Sequence, residues 1–182
     1  MKKRIIALGL LWCLSAVMLQ AARVDTVLVR SAAMNKDVKV VYVLPDKAIG
    51  KQACPVVYLL HGYGGNARSW VQLKPELPQM ADEKGIIFVC PDGKNSWYWD
   101  SPENPDYRYE TFVTSELVKY TDGNYATIPD SKARAISGLS MGGHGALWSA
   151  IRHKDVFGAA GSMSGGVDIR PFPQNWEMNK QL

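Results

Sequence analysis

Residues 133–147 read Ala133-Arg134-Ala135-Ile136-Ser137-Gly138-Leu139-Ser140-Met141-Gly142-Gly143-His144-Gly145-Ala146-Leu147. Ala133–Ser137 has the look of a short buried strand. Beyond Met141, Leu147, Ala150 and Ile151 recur at helical spacing and predict a helix with those three as its apolar stripe. Between the two lies Gly-x-Ser-x-Gly. A serine on so sharp a strand-to-helix turn projects its hydroxyl from the carboxyl edge of the sheet, and flanking glycines leave room for the turn. The helix start behind it offers unpaired N–H groups and the positive end of a dipole to a developing anion. A glycine-rich turn with an incidental serine would carry the same five letters. The strand before, the helix after and the extra Gly143 favour Ser140 as a nucleophile.

Upstream, Val56–Leu60 is a continuous apolar run, as expected of a strand buried on both faces, and it ends in His61-Gly62-Tyr63-Gly64-Gly65. Acyl transfer through a tetrahedral intermediate needs a second N–H donor opposite the nucleophile's own turn. A glycine-rich loop after a neighbouring strand can supply it, so the backbone N–H groups of Tyr63 and Met141 are assigned to an oxyanion hole. His61 and Gly62 border the same site.

The remaining punctuation is regular. Val24–Val29 and Val38–Leu44 predict an antiparallel pair at the sheet's start, and Pro45–Lys51 a polar turn. Trp70, Leu73, Leu77, Met80 and Ala81 recur at helical spacing, interrupted by Pro75 and Pro78. Ile86–Val89 predicts a further buried strand, Thr111–Tyr120 a helix and Phe157–Met163 a last strand. Strand–helix–strand repetition implies an α/β class, with a mostly parallel sheet, right-handed crossovers and helices on both faces.

The length of 182 residues suits one domain, and 47% hydrophobic with 21% charged residues is an ordinary globular balance. Of the 21 basic residues, three stand in the first four positions, which leaves 18 against 17 acidic ones after residue 22. Nothing in that balance argues for nucleic acid or an anionic surface. Lys2, Lys3 and Arg4, the apolar run Ile5–Leu19 and then Ala21-Ala22 read as a secretory signal peptide over 1–22, with the globular domain over 23–182. The run is shorter than the roughly 20 residues a bilayer-spanning helix needs, although a membrane anchor competes with it. After cleavage, no membrane association is expected and the protein is secreted or periplasmic. Of the two cysteines past the leader, Cys54 opens one buried strand and Cys90 closes the next. If those strands are parallel neighbours the thiols lie at opposite ends and do not pair.

Residues 138–147, His61-Gly62, Pro91-Asp92-Gly93 and Ser96-Trp97-Tyr98 together resemble the esterase D family, which includes S-formylglutathione hydrolases, feruloyl and acetyl-xylan esterases and, more distantly, mycolyltransferases. The resemblance spans about residues 35–168. It implies an α/β-hydrolase fold, Ser140 as nucleophile, and ester or thioester hydrolysis without a metal or organic cofactor. It leaves the ester itself open.

That fold places an acid and then a histidine after the nucleophile. Past Ser140 the histidines are His144 and His153, and the acids are Asp155, Asp168 and Glu177. His144 lies one helical turn on and reads as a packing residue, with substrate contact as the alternative. His153, near the far end of the helix, is over 15 Å away at ~1.5 Å per residue. His61 has a backbone role in its loop. None serves as a general base, and a serine without one stays protonated. The chain therefore reads as a C-terminally truncated fragment of a hydrolase domain, inactive by itself and expected to fold poorly, because an open sheet edge exposes apolar surface.

Trp97, Tyr98 and Trp99, with Tyr107 and Tyr109, follow another strand end. Either they face a small-molecule or carbohydrate ester substrate, Trp97 foremost, or they are buried anchors of a surface loop. Asp92, Asp100, Glu103 and Asp106 match no cation-binding spacing and read as a solvated acidic loop, so no metal is assigned. Three functions follow: a carboxylic-ester hydrolase, an acyltransferase on the same scaffold, or a non-catalytic carbohydrate-binding member.

Overall fold

The computed structural model describes residues 22–168 and 170; residues 1–21, 169 and 171–182 lie outside the described residues, and with them the signal-peptide reading. Six strands form one sheet in the order β1-β2-β4-β3-β5-β6. They are β1 (Arg23–Ser31), β2 (Lys36–Leu44), β3 (Val56–Leu60), β4 (Ile87–Pro91), β5 (Arg134–Leu139) and β6 (Ala159–Met163). The β1/β2 hairpin is antiparallel and β2 pairs antiparallel with β4, whereas β4, β3, β5 and β6 run parallel. This is the mostly parallel α/β sheet read from the sequence.

Alternation along the central strands divides the core in two. Val40, Tyr42, Val56, Tyr58, Leu60, Ile87 and Val89 pack on one face with Phe112, Leu117, Met141 and Ala146. Val41, Val43, Leu59, Phe88 and Cys90 pack on the other with Trp70, Leu77 and Ala81. Thus α2 (Ser69–Leu73) and α3 (Leu77–Lys84) cover the second face. The first is covered by α4 (Tyr109–Thr111), a π-helical turn (Phe112–Glu116), α5 (Leu117–Asn124) and α6 (Met141–Arg152). One further helical turn, α1 (Asp46–Ile49), stands where a polar turn was expected. Pro75 separates α2 from α3, while Pro78 falls in the first turn of α3, where its missing N–H costs nothing. Helix α3 ends at Gly85, whose φ of 63° and ψ of 41° are left-handed, the conformation glycine adopts freely.

Cys54 and Cys90 are free. Cys54 precedes the register pair Val56–Ile87 by two residues and Cys90 follows it by three, so the thiols sit at opposite strand ends. The apolar stripe read for α6 departs from the structure: Ile151 is 66% exposed, and the buried face of α6 is Met141, Gly142, Gly143, Gly145, Ala146 and Ser149. The last strand read from the sequence is present as β6, an edge strand with Ala159, Ala160, Ser162 and Met163 all exposed.

Candidate active site

The loops that follow β3, β4, β5 and β6 gather at one edge of the sheet, the carboxyl edge of the parallel strands. Ser140 sits there between β5 and α6, exposed, with φ 55° and ψ −117°. For a non-glycine residue that conformation costs about 1–3 kcal/mol and persists only where its surroundings fix it. Its N–H donates to the Met163 carbonyl at 2.8 Å and its carbonyl accepts from the His144 N–H at 3.0 Å. The neighbouring glycines are steric requirements. A Cβ on Gly142 would lie 2.2 Å from the Leu60 carbonyl oxygen, and one on Gly138 would lie 2.2 Å from that of Gly142. Helix, elbow and β3 are therefore in backbone contact.

The 61–65 loop meets this elbow directly, since a Cβ on Gly62 would lie 3.6 Å from Ser140 Cβ. Around Tyr63 the loop's amides are committed: His61 N–H donates to the Tyr98 hydroxyl (2.9 Å), Gly64 N–H to Asn95 Oδ1 (2.8 Å) and Gly65 N–H to the Gly62 carbonyl (3.0 Å). Among the described residues, the Tyr63 and Met141 amides have no hydrogen-bond partner. Gly62, Tyr63, Gly65, Ser69, Gln72, Leu73 and Leu139 line an open depression of about 450 Å³ beside the serine. Tyr63 and Leu73 stand exposed on its wall at 47% and 63%.

The three histidines occupy separate places. His61 is buried, with Nδ1 2.7 Å from the Gly62 carbonyl and Nε2 2.9 Å from the Gly93 amide. His144 Nδ1 bonds the Gly166 carbonyl at 2.9 Å. Its ring lies edge-on to Trp97 (5.5 Å) and stacks on Trp148 (6.0 Å). Burial holds its imidazole below the ordinary histidine range, against the Gly166 bond that would raise it. His153 Nε2 meets Glu110 at 2.8 Å, remote from the elbow.

The aromatic loop is an internal anchor. Trp97, Tyr98 and Tyr109 are 5%, 0% and 1% exposed. Trp97 and Tyr98 hold positive φ values of 56° and 59°, and Tyr98 fills space that a Cβ on Gly93 or Gly145 would invade. Trp97, read from the sequence either as facing substrate or as a buried anchor, is buried and packs on His144. The acids are only partly solvated: Asp92 is buried and pairs with Lys94 at 2.9 Å, and Asp100 accepts from Thr111 N–H at 3.0 Å and its hydroxyl at 2.5 Å. Burial pushes the Asp92 carboxyl up, but the hydrogen bonds it accepts from the Lys94 amide and ammonium override it and hold it well below the carboxylate range. Asn95 and the contact of Tyr98 with His61 escaped the sequence reading, for no periodicity marks a residue that reaches back to another loop.

The family model described as "Putative esterase" matches residues 31–181. The chain belongs to this esterase family. It is 29% identical over 136 residues to an acetyl esterase of Caldicellulosiruptor saccharolyticus, covering 70% of this chain and 50% of that one. It is 35% identical over 155 residues to diacylglycerol acyltransferase/mycolyltransferase Ag85A of Mycobacterium leprae, covering 80% and 44%. A solved ferulic acid esterase superposes with a TM-score of 0.69 at 31% identity, over 80% of this chain and 58% of that one. The fold is that of the α/β-hydrolases, and the chain spans about half the length of the curated relatives it matches.

Proposed function

We propose that this esterase-family chain carries the nucleophile and oxyanion half of a serine carboxylic-ester hydrolase. Ser140 attacks the ester carbonyl, and the Tyr63 and Met141 amides receive the oxygen as it becomes negative. The alcohol leaves, and water releases the acyl group from Ser140. The observation that carries the reading is the strained, exposed Ser140 elbow facing two amides that no group among the described residues occupies. No described histidine side chain is hydrogen-bonded to Ser140, and this reading requires a general base and its acid from outside the described residues. The open depression beside Tyr63 fits an acyl group or sugar presented from solvent. Relatives named for acetyl and ferulic acid esters point to small or carbohydrate-borne esters. The leader composition is consistent with export.

Likeness to a mycolyltransferase at 35% identity favours a second reading, in which an alcohol replaces water in deacylation. A carbohydrate-binding member without catalysis draws less support, since Trp97, Tyr98 and Tyr109 of the aromatic loop are buried and Trp99 and Tyr107 are partly buried. With the whole protein and acetyl, feruloyl and longer-chain esters, hydrolysis lost at least about 10³-fold in Ser140→Ala supports the first reading. Turnover that rises with added sugar or glycerol and transfers the acyl group supports the second. Unchanged hydrolysis in Ser140→Ala contradicts both.

A further inference from the structure

The Gly62 carbonyl and the Tyr63 N–H belong to one peptide unit, which is planar and trans, so whatever fixes the carbonyl also fixes the direction of the N–H. Two donors converge on that carbonyl: the His61 ring at 2.7 Å and the Gly65 N–H at 3.0 Å. The His61 tautomer follows from its partners. The Gly93 amide can only donate, so Nε2 accepts, with Asp92 Oδ1 standing 3.7 Å from it, beyond hydrogen-bond reach; the Gly62 carbonyl can only accept, so Nδ1 carries the proton. The ring is held in turn by its own backbone. Tyr98 Oη accepts from the His61 N–H at 2.9 Å and donates to the His61 carbonyl at 3.2 Å. Burial raises the Tyr98 phenol well above its ordinary value, which keeps that proton in place. Gly65 completes the clasp, because a Cβ there would lie 2.8 Å from His61 Nδ1.

We propose that His61, locked as the Nδ1–H tautomer by Gly93 and seated on Tyr98, is a positioning residue that aims the Tyr63 N–H at the reacting oxygen through the carbonyl of the same peptide. Donation to that carbonyl also polarises the peptide and strengthens its N–H as a donor. The inference rests on the serine-hydrolase reading, and it gives His61 and Tyr98 a role without contact to substrate.

Two measurements on the whole protein test it. Side-chain 15N–1H correlation, with the His61 signals assigned by their loss in His61→Gln, should show the proton on Nδ1; a proton on Nε2 overturns the proposal whatever the activity. In steady-state ester hydrolysis, His61→Ala should lower kcat by about tenfold or more with KM within about threefold. That lies below the ~10²–10³ of deleting an oxyanion donor outright, because the amide is misdirected rather than removed. His61→Asn, which keeps a donor near the Nδ1 position, should recover most of that loss, and Tyr98→Phe should reproduce part of it. A kcat unchanged in folded His61→Ala, or His61→Asn no better than alanine, overturns the proposal. Absence of turnover in the unsubstituted whole protein overturns the hydrolase reading beneath it, and the tautomer measurement then still decides the geometry.

Discussion

At Ser140 a non-glycine residue holds φ 55° between Gly138 and Gly142, whose close backbone contacts leave the turn no room to relax. The strain is local and its support is steric, which yields a paired prediction. Gly142→Ala sets a methyl 2.2 Å from the Leu60 carbonyl, and neither β3 nor α6 can retreat without opening the core. It should destabilise by about 3 kcal/mol or more, read as a lowered denaturation midpoint, and disturb the Ser140–Gly62 contact. Gly123, exposed in α5 with nothing within 4 Å of its would-be Cβ, is the control. Gly123→Ala should gain about 0.5–1 kcal/mol by removing freedom from the unfolded chain. These residues were legible in the sequence because the elbow's chemistry is written in consecutive letters. Tyr98 was not, since nothing local distinguishes the one of three successive aromatics whose hydroxyl turns inward onto His61.

Among the elements, the π-helical turn joins two braces. Glu116 accepts from Ser31 Oγ (2.6 Å) and the Ala33 N–H (2.9 Å) at the β1/β2 hairpin. Glu110, six residues earlier, accepts from Trp148 Nε1 (2.7 Å), Arg152 Nε (2.7 Å) and His153 Nε2 (2.8 Å) along α6. The nucleophile's helix is thereby tied to the segment beneath the aromatic loop. Burial raises the Glu110 carboxyl and those bonds lower it, with a net value below the ordinary glutamate range. A depressed carboxyl contributes stability that is present above its unfolded value, near 4.3, and is lost as pH falls through the lower folded value. Glu110→Gln should therefore cost about 2 kcal/mol at pH 7, and the gap in melting temperature from the parent should close as pH drops below about 4. A gap that persists unchanged to pH 3 contradicts the charge-based account. The strands were legible because β3 and β4 are unbroken apolar runs. The inward face of α6 was not: it approaches β3 and Tyr98 so closely that glycine, alanine and serine line it, while the pattern of large apolar residues follows Leu147, Ala150 and the exposed Ile151.

For the molecule as a whole, the parallel strands deliver their loops to one edge, and that topology alone brings residues 61–65, 92–98, 140–141 and 163–166 together. The sequence gives each loop its composition, but which loops touch depends on the strand order, with β3 between β4 and β5. The described sheet ends on the exposed β6, and among the described residues no helix is long and apolar enough to cross a membrane. The central claim is that Ser140 is an activated nucleophile facing the Tyr63 and Met141 amides, and covalent capture tests it most directly. When the whole protein is treated with a fluorophosphonate and the adduct is located by peptide mass spectrometry, one phosphonyl group should be found on Ser140 and none on the Ser140→Ala variant. An intact, folded protein that takes no label, or takes it on another residue equally with and without Ser140, would contradict the account.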